Sequence, residues 1–444
     1  MEVISLWLSL FLNYSTFPPS FLTDMPAYMI SATALEANAR VLRSVADASG
    51  CRVVLALKGF STWGCFDVVS PWLDGCCASG IWEAKLAYSR FGVGKHVLTY
   101  SPAYTDDEVA ELLNFTNHLD FNSVSQWERF KPMILTHERF LSGDVRCGLR
   151  VNPQCSTGHV AMYDPCVVGS RLGVVADDLD GVDLTGISGL HIHTLCEQGA
   201  DDLDKTVAAL ELRFGNLLKS PQVTYLNLGG GHWITQSGYD RDLLVRIIRR
   251  LREQYGVEVW LEPGEAVAIH SGVLRCRVLD VTVSQGVHHA IVDVSASAHM
   301  PDVLEMPYRP DIFLVKSEVS NDAHCEFGES DKFRESDESE ACRQPALVLH
   351  GESYVKGLLA GEAKYTYRLG ASTCLAGDVI GDFSFPNELK TGDELVFDDM
   401  AHYTTVKTSF FNGVRHPDLV LQERDGTLKT LRRFEYRDFE SRLG

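Results

Sequence analysis

Residues 53–63 read V-V-L-A-L-K-G-F-S-T-W, a β-branched and apolar run that leads into one lysine, Lys58. The run has the length of a buried strand, and Gly59 with the small polar residues after it is typical of a turn. The amine therefore stands at the end of a buried strand. One interpretation is a lysine that reaches solvent along its aliphatic stem. The other is an amine whose pKa is lowered by desolvation, so that it can form a Schiff base with a carbonyl compound.

Predicted strands and helices alternate around this stretch, as in parallel βαβ units. The predicted strands are residues 26–31, the run that ends at Lys58, and residues 75–78, 96–100, 118–122, 147–152, 189–193, 224–228 and 258–262. The predicted helices are residues 32–49, 65–73, 81–91, 106–115, 124–135, 203–218 and 239–255. About eight strands separated by helices predict an α/β fold with a closed (β/α)8 TIM-type barrel, and an open, doubly wound sheet is the alternative.

The pattern changes after Glu262, where helices become rare and Gly and Pro turns separate short apolar runs. Strands are predicted at residues 273–285, 289–295, 346–350, 394–397 and 419–421. Residues 317–344 are rich in Asp, Glu and Ser and predict a flexible acidic insertion. The predicted organisation is an extension of unclear role over 1–24, a barrel domain over 25–270, and a mainly β domain, a β-barrel or sandwich, over 271–444.

The composition is acidic, with 40 Lys and Arg against 60 Asp and Glu, a formal net charge of −20 and a pI near 5.1. Such a surface repels phosphate backbones, which argues against nucleic acid as a partner, and it attracts polycationic small molecules. Solubility alone is the other explanation of the charge. The 12 cysteines are scattered and form no metal-ligand spacing, so no metal site is predicted.

Free thiols fit a reducing compartment, and a cytoplasmic location is expected. The apolar run at residues 4–12 is too short to span a bilayer, and Glu2 stands where a signal peptide carries positive charge. No later segment has about 18 unbroken apolar residues, so no membrane association is expected.

Four features stand at the carboxyl ends of predicted barrel strands, where the chemistry of such barrels lies. They are Lys58, His193, the run Gly229-Gly230-Gly231, and Glu262. Together they suit a phosphorylated aromatic aldehyde. Glycines let backbone N–H groups surround a phosphate, an acid can hold a pyridine nitrogen protonated, a histidine can stack on the ring, and a lysine can form the imine. Each feature alone is more typical of a turn or a structural residue, and only their combination favours a site.

Six short motifs of the chain, taken together, resemble those of a known family. In order they are A-L-K-G-F-S-T-W (56–63), H-T-L-C-E (193–197), G-G-G-H (229–232), E-P-G-E (262–265), A-H-M-P-D-V-L-E-M-P-Y (298–308) and T-C-L-A-G-D (373–378). From about Pro26 to the C-terminal region the chain resembles the carboxynorspermidine/carboxyspermidine decarboxylases, which belong to the alanine-racemase-like (fold type III) pyridoxal-phosphate enzymes. Diaminopimelate and ornithine decarboxylases typically have Glu-Pro-Gly-Arg, and Glu265 replaces that arginine here.

The resemblance implies roles for the residues that match its motifs. Lys58 would carry pyridoxal 5'-phosphate as a Schiff base, His193 would stack on its ring and Glu262 would pair with the pyridine nitrogen. The phosphate would be held by Gly229, Gly230, Gly231 and Tyr403, with Arg150 and Arg171 as basic positions nearby. Cys374, with Asp378 beside it, would come from a partner subunit and protonate the carbanion left by loss of CO2, which implies a homodimer with shared active sites.

The implied reaction is decarboxylation of carboxynorspermidine or carboxyspermidine to norspermidine or spermidine. A polyamine tail requires negative groups in the distal pocket, for which Asp302 and Glu305, with His299, are the candidates, and Glu262 and Asp378 are the other predicted substrate contacts. The alternatives are a decarboxylase of another basic amino acid (diaminopimelate or ornithine), a catalytically silent homologue that binds a regulator, and a Schiff-base aldolase that uses Lys58 without a cofactor.

Overall fold

The computed structural model describes residues 25–158, 160–317 and 344–444. The predicted extension at 1–24 and nearly all of the predicted acidic insertion lie outside the described residues. Within the described ranges, no helix combines the length and the apolar character needed to cross a membrane.

The described chain folds into short strands and helices with the following bounds. The strands are β1 Ala27–Ser31, β2 Arg52–Ala56, β3 Gly75–Ala78, β4 His96–Tyr100, β5 His118–Phe121, β6 Arg146–Arg150, β7 Ile187–His191, β8 Tyr225–Asn227, β9 Glu258–Leu261, β10 Gly272–Ser284, β11 Val287–Val292, β12 Ile312–Ser317, β13 Glu352–Lys356, β14 Leu358–Leu359, β15 Tyr365–Ala371, β16 Val379–Phe385, β17 Glu394–Phe397, β18 Asp418–Gln422 and β19 Leu428–Arg432. The helices are α1 Ala32–Ser49, α2 Phe66–Val69, α3 Ile81–Arg90, α4 Asp106–Leu112, α5 Val124–Ile134, α6 Glu138–Leu141, α7 Ala200–Leu218, α8 Arg241–Tyr255, α9 Glu265–Ala268, α10 Ala296–His299, α11 Asp302–Glu305 and α12 Tyr436–Glu440.

Strands β2 to β9 form a closed parallel barrel, because β2 pairs with β9 as well as with β3. The predicted (β/α)8 barrel is therefore confirmed, and the open doubly wound sheet is wrong. Side chains alternate across each strand. In β2, Val53 and Leu55 face the helices outside, whereas Val54 and Ala56 join the apolar cluster inside the barrel. A barrel buried on both faces explains why its strands read as continuous apolar runs.

Helix α1 shows why the predicted helices form. Its buried residues recur at three- and four-residue spacing, as Leu35, Ala39 and Leu42 illustrate, so one face packs on the core. Ser31 caps the first turn by accepting a hydrogen bond from the N–H of Ala34 at 3.3 Å. Gly50 ends the helix with a φ of 75°, a left-handed conformation that favours glycine.

The remaining strands form one eleven-stranded mixed sheet, which confirms a mainly β second unit. Eight strands follow the order β13-β12-β17-β10-β11-β15-β16-β14, and β1, β18 and β19 continue beside β10. The strand predicted at 26–31 pairs outside the barrel, since β1 is antiparallel to β10 and parallel to β18. The limits of the two domains, at 25–270 and 271–444, stay a prediction.

The strand predicted at residues 346–350 is wrong. Buried Leu347 and Leu349 alternate with exposed residues, as in a strand, but the backbone there hydrogen-bonds to side chains rather than to another strand. The N–H of Ala346 donates to Asp398 Oδ1 at 2.8 Å, and the N–H of Leu349 donates to the Tyr354 hydroxyl at 3.1 Å. The strand lies just beyond this segment, as β13.

Candidate active site

The predicted site residues of the barrel lie at one of its ends, beyond the carboxyl ends of the strands. Lys58 follows β2, Arg150 ends β6, His193 follows β7, Gly229–Gly231 follow β8 and Glu262 follows β9. Parallel strands place their carboxyl ends at the same rim. The structure therefore brings these five features together at one mouth of the barrel.

Lys58 contacts His193, with Nζ 3.3 Å from Nε2 of the ring. The other ring nitrogen, Nδ1, accepts a hydrogen bond from the N–H of Gly230 at 3.1 Å. Burial lowers the pKa of His193 well below its usual value, so the ring is neutral and its one proton lies on Nε2. That proton points at Nζ, so the contact is a hydrogen bond when the amine is in its uncharged form.

Burial also lowers the pKa of the Lys58 amine, and the charge of Arg150 acts in the same direction. The lowered pKa makes the uncharged form easier to reach, while the side chain keeps exposed surface at the mouth. Of the two interpretations of this lysine, the lowered pKa and the contact with His193 favour the nucleophilic amine.

Glu262 is held at the rim by buried polar neighbours. Asn227 Nδ2 donates to its Oε1 at 2.6 Å, and His191 Nε2 lies 3.5 Å from its Oε2. His191 is fixed in turn, because its Nδ1 lies 3.1 Å from Asp120 Oδ2 while Tyr225 donates to Asp120 Oδ1 at 2.6 Å. Burial acts to raise the pKa of Asp120, but the hydrogen bond and charge of His191 hold it below its usual value. The hydrogen bond from Asn227 therefore orients the Glu262 carboxylate, and His191 packs beside it next to Asp120.

Gly229–Gly231 leave no space for a side chain. A Cβ on Gly230 would lie 2.1 Å from the carbonyl oxygen of Glu262, and a Cβ on Gly231 would lie 1.9 Å from that of Leu195. The first and third glycines also have φ values of 68° and 84°. Only glycine allows the chain to pass this closely over the neighbouring strand ends.

Hydrogen bonds within the protein already occupy two of the three backbone N–H groups of this loop. The N–H of Gly229 donates to Asn227 Oδ1 at 2.9 Å, and that of Gly230 donates to His193. Within the described ranges, the N–H of Gly231 has no acceptor in the chain. An anionic ligand oxygen can therefore be met by the backbone at Gly231.

Arg150 is buried and rigidly held near the mouth. Its Nη2 donates to the carbonyl oxygen of His193 at 3.1 Å, and its guanidinium carbon lies 4.5 Å from the centroid of the Tyr100 ring. Arg171 is exposed in the loop after β6. The structure thus places only the first of the two predicted arginines within the polar network of the mouth.

Tyr403 approaches the Lys58 turn through its backbone. Its N–H donates to the carbonyl oxygen of Gly59 at 2.7 Å, and its φ of 45° is uncommon for a residue with a side chain. Burial raises the pKa of its phenol, and the negative charge of Glu265 acts in the same direction. The hydroxyl is therefore a hydrogen-bond donor at neutral pH.

Four carboxylates lie near Tyr403 and His402, and the sequence assigned a role to only one of them, Asp302. We call Glu197, Glu265, Asp302 and Asp399 the acidic cluster. Burial raises the pKa of Glu265, whose Oε1 accepts a hydrogen bond from Trp233 Nε1 at 3.0 Å. Burial and the charge of Glu265 raise the pKa of Glu197. Both glutamates stand in recognised motifs, and the replacement of the usual arginine at 265 is the signal that could have identified them.

The charges of three of these carboxylates act on one half-buried histidine, His402. Its Nε2 lies 3.3 Å from Asp399 Oδ1. Burial acts to lower the pKa of His402, but the hydrogen bond and charge of Asp399, with the charges of Glu265 and Asp302, raise it to about 9. The ring is therefore an imidazolium at neutral pH and offsets part of the negative charge of the cluster.

The raised pKa of His402 predicts how stability depends on pH. Because the folded value of about 9 lies above the reference value of 6.5, the stabilisation is complete below pH 6.5 and is lost as the pH rises through about 9. Between pH 6.5 and about 9, the free energy of unfolding is expected to fall by on the order of 2 kcal/mol more in the wild type than in His402→Gln. Urea denaturation of both proteins at a series of pH values measures the difference, and parallel curves would contradict it.

Asp302 and Glu305, predicted as contacts for a polyamine tail, share a lysine of their own chain. Lys407 Nζ lies 2.9 Å from Glu305 Oε2 and also contacts Asp302 Oδ1. The hydroxyl of Tyr163 donates to the backbone oxygen of Glu305 at 2.9 Å. The pair is therefore partly neutralised, which the sequence alone did not indicate.

Cys374 and Asp378 lie in the sheet unit, on the turn between β15 and β16. Asp378 is buried and accepts hydrogen bonds from the hydroxyls of Ser295, Ser297 and Thr373, at 2.6, 3.0 and 2.5 Å. Cys374 is exposed. Within the described ranges, no hydrogen bond or ion pair links either residue to Lys58.

His299 is fully buried beside the same turn. Its Nδ1 accepts a hydrogen bond from the N–H of Ser295 at 3.1 Å, its backbone oxygen accepts one from the Tyr28 hydroxyl, and burial lowers its pKa to about 3. The structure therefore places this predicted substrate contact against Asp378 rather than at the barrel mouth.

Residues 27–401 match a protein family described as the pyridoxal-dependent decarboxylases, C-terminal sheet domain. The carboxynorspermidine/carboxyspermidine decarboxylase of Campylobacter jejuni is 38% identical over 417 residues, which are 94% of this chain and 98% of that protein. The chain belongs to the carboxynorspermidine/carboxyspermidine decarboxylase family. The family predicted from the motifs is confirmed.

Other members and relatives of this decarboxylase family match the chain over nearly its whole length. The carboxyaminopropylagmatine decarboxylase of a Synechocystis species is 37% identical over 420 residues, 94% of this chain and 95% of that protein. The crystal structure of the carboxynorspermidine decarboxylase of C. jejuni, complexed with norspermidine, has a TM-score of 0.76 at 36% identity and covers 95% of this chain and 100% of that chain. The barrel-plus-sheet fold predicted from the sequence is thereby confirmed.

Decarboxylases of this family use pyridoxal phosphate, as predicted, and the residues at the mouth fit that cofactor. The lowered pKa of the Lys58 amine suits attack on an aldehyde, the glycine loop gives close access to its backbone at Gly231, and Glu262 is a fixed carboxylate at the same rim. Within the described ranges, no group of three or more His, Cys, Asp or Glu side chains could hold a metal ion.

Proposed function

We propose that this protein decarboxylates carboxynorspermidine or carboxyspermidine and releases norspermidine or spermidine. The observation that carries the proposal is the acidic cluster around Tyr403, whose backbone bonds to the turn of Lys58, together with the lowered pKa of the Lys58 amine. The amine suits a carbonyl cofactor, and the carboxylates suit a substrate whose tail carries ammonium groups. The names of the relatives and the norspermidine bound to one of them support the same substrate class.

In this proposal the barrel residues hold the cofactor, which supplies an electron sink for the carbon that loses CO2. Lys58 would attach it through its amine, and His193, which contacts that amine in the free protein, would lie beside it. Glu262 would hold the proton of the pyridine nitrogen. Gly231, with the Tyr403 hydroxyl, would bind the phosphate, and Arg150 would add positive charge to the mouth.

The tail of the substrate binds the acidic cluster. Within the described ranges, neither Glu197 nor Glu265 forms an ion pair with a lysine or arginine, whereas Asp302 shares Lys407 with Glu305. A substrate ammonium therefore meets free negative charge first at the two glutamates. We add them to the predicted tail contacts Asp302 and Glu305.

Replacing Glu265 with glutamine tests this tail site. The variant keeps the shape and the hydrogen bond from Trp233 but removes one charge, so we expect the inhibition constant of norspermidine to rise about tenfold or more. Glu388→Gln removes the same charge from an exposed position and should leave inhibition unchanged. Equal inhibition of all three proteins would remove Glu265 from the tail site.

We also propose a homodimer in which Cys374 of each subunit serves the active site of the other and protonates the carbon that has lost CO2. In support, Cys374 is exposed on its own chain and, within the described ranges, forms no hydrogen bond with Lys58. The Asp378 hydrogen bonds hold its turn in one conformation and so prepare it to enter a neighbouring site.

Hybrid dimers test the shared sites. Lys58→Ala and Cys374→Ala are each expected to have little activity, but refolding them together at equal amounts makes half of the dimers hybrids with one intact site. The mixture should recover about one quarter of wild-type activity. Mixing each variant with itself is the control, and a mixture that stays inactive would exclude site sharing.

A panel of substrates tests the function itself. We expect CO2 release from carboxynorspermidine or carboxyspermidine, and carboxyaminopropylagmatine is included because one relative is named for it. Release from diaminopimelate or ornithine alone would replace the proposal with the rival decarboxylase. No release from any of them, in a protein that binds pyridoxal phosphate, would favour the silent homologue.

A further inference from the structure

One side chain outside the barrel contacts the Cys374 thiol directly. Nδ2 of Asn412 lies 3.3 Å from Cys374 Sγ, and Oδ1 of the same amide lies 3.6 Å from it. Neither the motifs nor the residues assigned above include Asn412, which lies in the short turn Phe411–Gly413. The contact joins two exposed segments that are 38 residues apart in the sequence.

The backbone around this contact is fixed on both sides. Asp378 holds the turn that carries Cys374 by accepting hydrogen bonds from Ser295 and Ser297 at the start of α10. The segment before Asn412 is tied to the same short helix, since the N–H of Ser409 donates to the carbonyl oxygen of Ala298 at 2.8 Å. With both segments anchored to α10, the rotation of the Cys374 side chain is the main freedom left, and the amide restricts it.

The residue type suits both protonation states of a thiol. Oδ1 can accept a hydrogen bond from S–H, and Nδ2–H can donate one to the thiolate. A proton donor passes from the first state to the second when it gives up its proton. Because a donor to the charged form stabilises that form, the nearer Nδ2 contact favours proton transfer.

We propose that Asn412 is a positioning residue that orients the Cys374 thiol and stabilises the thiolate it becomes. The inference rests on the proposed function, in which Cys374 donates the proton. In that step the S–H bond breaks, a C–H bond forms at the carbon that has lost CO2, and the electron pair of S–H stays on sulfur. The thiolate regains its proton from water, and Asn412 is unchanged.

The backbone conformation of Asn412 determines which substitutions can be made there without strain. Its φ of 58° is left-handed, a conformation that Asn, Asp and Gly adopt at low cost. Asn412→Gly therefore removes the amide without strain, and Asn412→Asp keeps its shape but places a negative charge beside the sulfur. Asn387→Asp, at an exposed position of the same sheet unit, is the control for added charge.

The first readout is the rate at which iodoacetamide alkylates Cys374 as a function of pH, followed by mass spectrometry of the peptide that contains it. Only the thiolate reacts. We expect the midpoint of the profile to move to higher pH by about one unit in Asn412→Asp and by less in Asn412→Gly. Asn387→Asp should match the wild type.

The second readout is turnover. For both Asn412 variants we expect kcat to fall about tenfold with little change in KM, because the tail site is untouched. Alkylation profiles of both variants that superimpose on the wild type would overturn the role of Asn412. If Cys374→Ala kept full turnover while the profiles shifted, the proton-donor role in the proposed function would fail, and the effect of Asn412 on the thiol would stand.

Discussion

Replacing Lys58 with alanine is expected to lower kcat by at least about 1,000-fold, because the covalent attachment of the cofactor and the amine beside His193 are lost together. The wild type, supplied with pyridoxal phosphate, should show the visible absorption band of a lysine-bound cofactor, and the variant should not. CO2 release from carboxynorspermidine and carboxyspermidine gives the rate. Lys390→Ala removes an exposed lysine and should behave as the wild type.

The spectrum also separates the alternatives. If Lys58→Ala showed the same band as the wild type, another lysine would be the one that binds the cofactor. If the wild type shows no band with added pyridoxal phosphate, the result would favour one of two alternatives. These are the aldolase that uses Lys58 without a cofactor and the silent homologue.

The second large effect is expected at Glu262. In Glu262→Gln the amide can still accept a hydrogen bond from Asn227 but cannot hold the pyridine proton, so we expect kcat to fall about 100-fold or more while the cofactor remains bound. Retention of the absorption band, measured with the rate, separates this loss from loss of the cofactor.

Strand β9 offers its own control for this experiment. Glu258 begins the strand at the opposite end of the barrel, where its carboxylate lies 2.6 Å from the Arg146 guanidinium. Glu258→Gln removes the same charge from the same strand without touching the mouth, and it should keep kcat unchanged. A similar kcat in Glu262→Gln and the wild type would rule out the proposed role of the carboxylate.

The barrel could be predicted from the sequence because its information is local. Each apolar run, such as 53–57, and each amphipathic helix, such as α1, can be recognised from its own residues. The alternation of strands and helices then restricts the fold to few topologies. The sheet could not be predicted in the same way. The neighbours of β1 are the strands at 272–284 and 418–422, and the residues of 27–31 do not indicate this pairing.

The same division holds for the candidate site. Lys58, His193 and Glu262 could be predicted because each follows a strand with a recognisable pattern. The ion pairs of Lys407 with Asp302 and Glu305 could not, since these side chains are about 100 residues apart and meet only after the second unit has folded. His402 and Asn412 are further examples, because their importance depends entirely on their neighbours.

The position of β1 has a consequence for how the protein is made. Ala27 leaves the ribosome early, yet its strand partners, Arg275 and Asp418, are synthesised much later. The barrel strands between them are complete first and can close while β1 still lacks both neighbours. Contacts between distant parts of a chain form slowly, so closure of the sheet should be the late step of folding. Chains released before residue 418 would keep an unpaired strand edge and should be prone to aggregate.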